Sequence, residues 1–332
     1  MARSTAAPRA QTAADTHLRT VHERRAQSAY PPPLAKAQRA KVAKLPPSAP
    51  RIGTWVRAVR VRQWPKNLLV FGAPAAAGAL ADSAVLSRVA LAALAFCLLS
   101  SGAYLLNDLR DAPEDRRHPV KRHRPIASRT IVPGQALAAA AVAIGAGLGL
   151  SALLGGASLA VAGSYALLNF SYTTWLRRIA IADIAAIAGA FVIRAAAGGI
   201  AAGVPISRWF FVVVSFAALF VAAGKRYADF LDPNAGGSRQ VLADYNADFL
   251  RMVIGVASAV ALGAYCLWAF QTAAGAAIGW REATIVPFTI ALLRYGLLVT
   301  GGQGGAPEEI MLGDRFMQLT GLAWLLTFAL GL

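Results

Sequence analysis

Residues 84–127 read AVLSRVALAALAFCLLSSGAYLLNDLRDAPEDRRHPVKRHRPIA, an apolar run that ends in a dense cluster of charges. The run over 84–106 is long enough to cross the ~30 Å apolar core of a bilayer as a helix. It ends in the pattern N-D-x-x-D-x-x-x-D, whose members are Asn107, Asp108, Asp111 and Asp115. Basic and histidine side chains follow at once: Arg116, Arg117, His118, Lys121, Arg122, His123 and Arg124. Because carboxylates favour a hard cation and basic side chains favour phosphate, the stretch predicts a metal–phosphate site at the end of a membrane helix.

The composition of the whole chain indicates a membrane protein. Of its 332 residues 57% are hydrophobic, the mean hydropathy is +0.50, and the apolar residues occur in long runs. These values exceed those of a soluble domain of this size. The runs predict an all-α polytopic membrane protein with about nine transmembrane helices, at residues 67–82, 84–106, 134–154, 157–176, 180–202, 207–224, 250–273, 283–300 and 315–332.

Positive charge is concentrated at the N-terminus. The chain carries a net charge of +17, and residues 1–66 hold 14 Lys and Arg against Asp15 and Glu23. Residues 1–50 combine this charge with many Pro and Ala and few bulky apolar side chains, which predicts a disordered basic tail ahead of a transmembrane domain at 51–332. Nucleic-acid binding is the usual alternative for a basic tail, but a tail beside a membrane span is expected to contact anionic lipid.

The basic residues of the loops predict the orientation in the membrane. If the N-terminus is cytoplasmic, the loops after the second, fourth and sixth predicted spans are cytoplasmic as well. Those loops contain the basic residues of 110–129, 177–178 and 225–251. The opposite loops carry three basic residues, Arg88, Arg208 and Arg281. By the positive-inside rule, the N-terminus and all the acidic and basic clusters therefore face the cytoplasm.

The spacing of the acidic residues suits a shared helical face. Asn107, Asp111 and Asp115 are four residues apart, so a continued helix stacks them on one side with Asp108 beside them. Carboxylates this close repel one another unless a cation lies between them, and Mg²⁺ bound by a few carboxylates and substrate phosphates meets that need. Pro113 disfavours the helical conformation of the residue before it, so Asp115 is expected to approach from a loop. The alternative interpretation is a solvated charged connector.

Two further clusters lie on the same predicted side of the membrane. Residues 60–67, RVRQWPKN, precede the first span, and residues 223–232, AGKRYADFLD, end the sixth. Their candidate substrate-binding members are Arg62, Lys66, Lys225, Arg226 and Tyr227. Basic side chains at such positions are suited to bind phosphate. The alternatives are an interfacial Trp and Lys/Arg anchor for the first cluster and a snorkelling helix end for the second.

Asp183 and Arg194 are charged residues within the fifth predicted span. They are separated by about three helical turns, so they share a face but lie ~16 Å apart along the axis and do not form a direct ion pair. A charge near the middle of a membrane normally faces a wet cavity or a partner, which predicts that Arg194 lines a cavity. Residues 307–315, PEEIMLGDR, place further acids at the same mouth without indicating a role.

Other classes of protein fit the sequence less well. The chain lacks a Walker loop, a G-x-S-x-G elbow and an H-E-x-x-H pair, so the chemistries of those motifs have no support. A transporter is the non-enzyme alternative, since intramembrane Arg194 and Gly-rich spans suit a substrate pathway. The gathering of polar clusters at one face and the lack of a second half that repeats the first disfavour it.

The acidic pattern, the predicted spans and the second polar cluster resemble the UbiA superfamily of intramembrane prenyltransferases over residues 52–332. The likeness is closer to one branch, the decaprenyl-phosphate phosphoribosyltransferases of actinobacterial cell-wall synthesis. The segments that carry it are RVRQWPKNLLVF at 60–71, NDLRDAPEDRRHPVKRHRPIA at 107–127, AGKRYADF at 223–230 and PEEIMLGDR at 307–315. The second cluster departs from the usual second Asp-rich motif, because cations precede fewer acids there. That departure suits a donor with an additional phosphate and leaves a second metal ion unsupported.

This resemblance implies a UbiA-like catalytic domain of the plasma membrane that transfers 5-phosphoribose from phosphoribosyl pyrophosphate to decaprenyl phosphate for cell-wall arabinan synthesis. It implies that Asp108, Asp111 and Asp115, assisted by Asn107, hold Mg²⁺ on the donor pyrophosphate. It assigns the donor phosphates to Lys121, Arg122, Arg124, Lys225 and Arg226.

The resemblance also assigns residues to the acceptor and to the cavity. Arg62 or Lys66 is expected to hold the lipid headgroup, and Arg194, with Asp183 and Tyr227, is expected to line the substrate cavity. The membrane and the two substrates are the implied partners, with no nucleic acid, and a homo-oligomer is left open. An aromatic prenyltransferase of quinone synthesis, which uses a prenyl diphosphate donor, is the enzymatic alternative.

Overall fold

The structure, a computed structural model, describes residues 50–232, 240–272 and 279–331, and the regular elements within these ranges are all helical. The predicted disordered tail over 1–50 lies outside the described residues apart from Pro50. The α-helices are α1 (Ile52–Ala58), α2 (Gly72–Ala76), α3 (Ser83–Asp115), α4 (Pro133–Leu153), α5 (Gly156–Thr174), α6 (Ala182–Ala202), α7 (Arg208–Leu231), α8 (Ala247–Thr272), α9 (Trp280–Ala283), α10 (Ile285–Leu298), α11 (Pro307–Gly313) and α12 (Arg315–Leu330).

Six helices of the described residues are long and apolar enough to cross a membrane. They are α3, α4, α6, α7, residues Ala247–Gln271 of α8, and the helical stretch Trp280–Gln303 that contains α9 and α10. Two other predicted spans correspond to α5, of 19 residues, and α12, of 16 residues. The prediction of an all-α multi-pass membrane protein is confirmed, whereas the count of nine spans is not.

The first predicted span, 67–82, is not a continuous helix. A 3₁₀ helix over Val61–Phe71, the five-residue α2 and a 3₁₀ turn over Ala79–Ala81 replace it. Pro65 and Pro74 each remove a backbone hydrogen-bond donor. The backbone turns at Gly78, whose φ of 68° favours glycine. The broken segment packs against α3 and α6, and it brings residues 60–67 to the end of the bundle.

The broken segment lies against α6 at very short range. A Cβ atom added at Gly198 would lie 1.6 Å from the backbone oxygen of Val70, so only glycine leaves room for this approach. Val70 belongs to a buried cluster with Phe96 of α3 and Ala197 of α6. This packing sets Asn67, one turn earlier, beside the intramembrane part of α6.

Candidate active site

The acidic segment forms the last turns of α3, which continues through Pro113 to Asp115. The expected loop before Asp115 is therefore wrong. Because Pro113 lies near the end of the helix, it removes one backbone donor without ending the hydrogen-bond ladder, and the amide of Arg116 still donates to the carbonyl of Ala112 at 3.2 Å. The continued helix places Asp108 and Asp115, about two turns apart, on one face.

Asp108 and Asp115 share one arginine. Arg124 Nη1 lies 3.3 Å from Asp108 Oδ1 and 2.8 Å from Asp115 Oδ2. Arg60 Nη2 donates to the same Asp108 oxygen at 2.5 Å. Each aspartate is 4% exposed. The two arginines therefore supply the opposite charge that buried carboxylates require.

Asp111 belongs to a second group. Its Oδ1 lies 2.5 Å from Arg177 Nη1, and its Oδ2 accepts from Asn107 Nδ2 at 3.0 Å. Asp115 joins Asp108 instead, because a spacing of seven residues is closer to two full turns than a spacing of eight. In the part of the chain that the structure describes, no three Asp, Glu, His or Cys side chains converge as a metal-ligand group. The three predicted metal ligands thus lie in two groups: Asp108 and Asp115 share Arg124, and Asp111 contacts Arg177.

The basic residues after α3 differ in their exposure. Arg124 is half-buried against the carboxylates. Lys121 is half-buried in the 3₁₀ turn Lys121–His123, and Arg122 is exposed, with its Nε 3.2 Å from His123 Nε2. Arg124 is thus built into the acidic site, while Lys121 and Arg122 lie nearer its rim.

Lys66 lies beside the acidic site and is linked to it through neighbouring side chains. Its Nζ donates to Gln63 Oε1 at 2.5 Å and lies 3.0 Å from Glu308 Oε2, in an ion pair that is not aligned as a hydrogen bond. Tyr104 donates to the same Gln63 oxygen at 3.1 Å, and the Arg60 guanidinium lies 4.8 Å from the centre of the Tyr104 ring. Burial lowers the pKa of Lys66 below its ordinary value, although Glu308 opposes the shift. A chain of contacts therefore joins Lys66 to the acidic end of α3.

Arg62 and Lys225 lie closer to the surface. Arg62 Nη2 is 3.9 Å from Glu309 Oε1, and the two side chains are 91% and 67% exposed. An ion pair this exposed contributes little to stability. Lys225, near the end of α7, is half-buried. Arg62 is thus at the surface, whereas Lys225 is partly covered by its neighbours.

Arg194 lies within α6 with 5% of its surface exposed. Its Nε donates to Asn67 Oδ1 at 2.8 Å, its Nη2 to Tyr165 OH at 2.5 Å and its Nη1 to the Ala190 carbonyl at 3.0 Å. The guanidinium also lies over the rings of Tyr165 and Phe191. Among the described residues, no carboxylate forms an ion pair with it. A buried cation held by neutral groups is suited to attract an anion.

Asp183 and Arg226 form an ion pair in the core, and both side chains are 0% exposed. Arg226 Nη1 also donates to Asp229 at 2.6 Å and its Nη2 to Tyr172 OH at 2.8 Å. Tyr245 OH donates to Asp183 Oδ1 at 2.5 Å. Burial and this hydrogen bond raise the pKa of Tyr245. In this structure Asp183 and Arg226 belong to a buried network that joins α6 to α7, in which all three guanidinium nitrogens have protein partners. Their predicted contacts with substrate stay a prediction.

Tyr227 is also part of the core. It is 6% exposed and packs with buried residues of α6 and α8, including Ile184 and Leu250. The Arg251 guanidinium lies 5.9 Å from its ring centre. Its position on α7 thus faces the neighbouring helices, and its predicted contact with substrate stays a prediction.

Arg60, Arg177 and Glu308 are not among the site residues predicted from the sequence. Arg60 and Arg177 contact the predicted metal ligands, and Glu308 contacts Lys66. Each lies in a segment rich in charged residues, so a charged role for these segments could be recognised from the sequence. What the sequence does not provide is the partner, because Arg177 is 66 residues from Asp111.

Comparison with known proteins identifies close relatives. Residues 68–319 match the UbiA prenyltransferase family. A protein of Corynebacterium glutamicum named decaprenyl-phosphate phosphoribosyltransferase is 41% identical over 280 residues, which cover 81% of this chain and 83% of that protein. A protein of the same name from Mycobacterium tuberculosis is 40% identical over 287 residues, which cover 85% of this chain and 95% of that protein.

Solved structures show the same fold. A UbiA homologue from Archaeoglobus fulgidus, bound to DMAPP and Mg²⁺, superposes with a TM-score of 0.66 at 15% sequence identity, over 84% of this chain and 97% of that one. At this identity the likeness concerns the fold alone. The sequence matches cover most of the chain and most of each relative. The chain therefore belongs to the UbiA prenyltransferase family.

Proposed function

We propose that the protein transfers the 5-phosphoribosyl group of phosphoribosyl pyrophosphate to the phosphate of a decaprenyl or similar polyprenyl lipid. The names of relatives 40–41% identical to this chain support the proposal. The observation that carries it is that the buried carboxylates of Asp108 and Asp115 contact arginines at the end of α3, and a buried arginine, Arg194, lies within α6. This arrangement suits a reaction between a soluble polyanion and the phosphate of a lipid.

Mg²⁺ is the proposed cofactor. Asp108, Asp111 and Asp115, with Asn107, supply the hard oxygen atoms that Mg²⁺ prefers, and this ion commonly takes one or two carboxylates with substrate phosphates as its other ligands. The pair Asp108 and Asp115, and Asp111 with Asn107, fit that requirement without a third converging acid. When bound, the ion would neutralise charge that develops on the leaving pyrophosphate. The Mg²⁺ in the Archaeoglobus fulgidus homologue supports this assignment.

The arginines beside the carboxylates would hold the donor phosphates. Arg60, Arg124 and Arg177 each contact an aspartate of α3, so they line the place where the donor pyrophosphate would meet those acids. The guanidinium group binds phosphate through two parallel hydrogen bonds, which fixes orientation as well as position. The outer cations Lys121, Arg122 and Lys225 would attract the donor from solution.

Lys66 and Arg194 would hold the acceptor phosphate. Arg194 donates to Asn67, the residue that follows Lys66, so the two cations lie in segments that contact each other. Burial is the main cause of the lowered pKa of Lys66, and the positive charge of Arg194 adds to it. A phosphate between two cations that repel each other would relieve that repulsion.

The reaction would be a substitution at the anomeric carbon of the ribose. An oxygen of the acceptor phosphate forms a bond to that carbon, the bond from the carbon to the pyrophosphate oxygen breaks, and pyrophosphate leaves with the electron pair. The acceptor phosphate is anionic at neutral pH, so the reaction requires no general base. The contribution of the protein is therefore positioning and electrostatic stabilisation.

The proposed location is the plasma membrane, with the N-terminus and the active-site mouth on the cytoplasmic side. The basic residues of 110–129 and 177–178 support this orientation through the positive-inside rule. They lie at the same end of the bundle as the acidic segment, as the Arg177–Asp111 contact shows.

Transfer of labelled ribose 5-phosphate from phosphoribosyl pyrophosphate to decaprenyl phosphate by the purified protein, with and without Mg²⁺, tests the proposal. Mg²⁺-dependent label in the lipid fraction is the expected result. A parallel reaction contains a prenyl diphosphate and an aromatic acid. Product in that reaction alone would overturn the proposal and identify an aromatic prenyltransferase.

A further inference from the structure

Two buried polar atoms near Lys66 have no hydrogen-bond partner among the residues that the structure describes. They are the hydroxyl of Tyr295 and Oε2 of Glu308. Tyr295 is 5% exposed and Glu308 is 8% exposed. Tyr295 packs in one buried cluster with Ile310, which lies two residues after Glu308 on the same short helix, so the two groups share one neighbourhood. Because buried polar groups in proteins are nearly always satisfied, this pair points to a polar ligand.

The Lys66 ion pair accounts for the charge of Glu308 but not for its hydrogen-bonding capacity. A carboxylate has about four positions at which it accepts a hydrogen bond. Lys66 Nζ lies 3.0 Å from Oε2 without alignment and directs a hydrogen bond to Gln63 instead. The vacant acceptor positions of Glu308 favour a ligand that carries hydroxyl donors. Phosphate oxygens have no such donors, and a carboxylate repels them.

Glu308 occupies a suitable place for a donor subsite. It lies at one end of the contact chain through Lys66, and Asp108 lies at the other end. The short helix α11, which carries it, follows the helix break at Val299–Gln303. A cavity of about 570 Å³ lies against this helix, and its lining includes Leu298, Gln303, Glu309, Ile310 and Asp314. Glu308 thus lies on the short helix that borders this cavity, and Lys66 and Arg60 lie between its carboxylate and the acids of α3.

We propose that Glu308 and Tyr295 form the subsite that binds the ribose hydroxyls of the donor. The Glu308 carboxylate accepts from the sugar hydroxyls, and the Tyr295 hydroxyl forms a hydrogen bond to the same sugar. This inference rests on the proposed function, because it assigns the sugar of that donor. A prenyl diphosphate has no hydroxyl and would leave both groups unsatisfied. The pair therefore selects a sugar donor over a prenyl donor, as sites built to bind hydroxyls reject analogues that lack them.

The experiment combines two protein variants with donor analogues that each lack one ribose hydroxyl. Glu308→Gln keeps the shape of the side chain and removes its charge, and Tyr295→Phe removes only the hydroxyl. The full-length variants and the wild type are assayed for kcat/KM with phosphoribosyl pyrophosphate and with its 2-deoxy and 3-deoxy analogues, at fixed decaprenyl phosphate and Mg²⁺. We expect each variant to lose about 10-fold or more with the ribosyl donor and less than about 2-fold with at least one deoxy donor.

A control is the substitution Asp248→Asn, which also neutralises an acid in an exposed ion pair and is expected to leave all three kcat/KM values unchanged. Tyr295→Phe removes a hydroxyl without a protein partner, so its melting temperature is expected to equal or exceed that of the wild type, and it remains informative if Glu308→Gln does not fold. Equal losses with ribosyl and deoxy donors would overturn the inference, because Glu308 would then act only by positioning Lys66. Wild-type protein inactive with every ribosyl donor is a different result, which would overturn the proposed function itself.

Discussion

Asp108 and Asp115 are joined by a single nitrogen of Arg124, which lies 3.3 Å from one carboxylate and 2.8 Å from the other. Both acids are buried at the end of α3, and Arg60 adds a second cation at Asp108. Two carboxylates on one face would repel each other strongly at low local dielectric. The arginines therefore offset the repulsion between the two adjacent acids at the place of the proposed metal and pyrophosphate site.

Substitution of Asp115 by Asn tests this arrangement. The amide keeps the shape of the side chain but loses the charge, so we expect kcat/KM for phosphoribosyl transfer to fall by about 100-fold and the Mg²⁺ concentration at half-maximal rate to rise. A Mg²⁺ titration of the transfer rate measures both effects. The control is Glu114→Gln, because Glu114 is the preceding residue and is exposed. An unchanged Mg²⁺ dependence in Asp115→Asn would contradict the assignment of Asp115 as a ligand of the metal ion.

Arg226→Met is expected to affect stability before it affects substrate binding. The substitution leaves Asp183 buried without its cation, which typically costs about 3–5 kcal/mol. Chemical unfolding in detergent measures the loss. The double variant with Asp183→Asn should lose less than the sum of the two single variants, because the buried charge is removed with its partner. If Arg226→Met is as stable as the wild type and its KM for the donor rises, Arg226 binds phosphate as the sequence suggested.

Hydropathy was sufficient to predict the membrane architecture but not the first span. Long apolar runs form helices in a bilayer because the backbone has no other way to satisfy its polar groups. The run over 67–82 is also largely apolar, yet Pro65 just before it and Pro74 within it each remove a backbone hydrogen-bond donor. A hydropathy average is insensitive to a missing amide donor. The same averaging did not detect that the helix over 83–115 tolerates Pro113 close to its end.

The sequence predicts which charged residues of the candidate site lie together on one helix, but it does not predict which distant residues pair with them. The acidic residues of α3 follow from their spacing along one helix. Arg226 resembled a phosphate ligand because a cation at a helix end is normally exposed. Its burial depends on Asp183, which lies 43 residues away on a neighbouring helix. Such pairing is determined by how helices pack, and helical periodicity contains no information about it.

The pH dependence of transfer should reveal Lys66. Burial lowers its pKa, so it loses its charge at a lower pH than an exposed lysine. We expect kcat/KM to decline on the alkaline side through this lowered pKa, and Lys66→Arg to move the decline to higher pH because arginine stays charged. Stability should change in the opposite direction. Between the folded and the unfolded pKa values the unfolded chain binds more protons at Lys66, so its contribution to the free energy of unfolding rises with pH.

The readouts of the pH experiment are a pH profile of kcat/KM and an unfolding series over the same range. An alkaline limb that persists unchanged in Lys66→Arg would assign the titration to another group. Lys66→Gln is the matched neutral variant. It is expected to show at all pH values the low kcat/KM that the wild type approaches at high pH.

Gly198→Ala tests whether the broken segment positions the intramembrane arginine. The added Cβ would lie 1.6 Å from the Val70 carbonyl oxygen, a backbone atom that moves only if the whole segment moves. Overpacking of this kind typically costs about 1–3 kcal/mol. Because Asn67 lies one turn before Val70 and accepts the hydrogen bond of Arg194 Nε, the same shift should raise the KM for decaprenyl phosphate more than the KM for the donor.

Gly149→Ala, in the interior of α4 with open space around it, is the control and is expected to be neutral or stabilising. Wild-type stability and unchanged KM values in Gly198→Ala would show that the segment can be displaced without effect, and that the position of Arg194 does not depend on it.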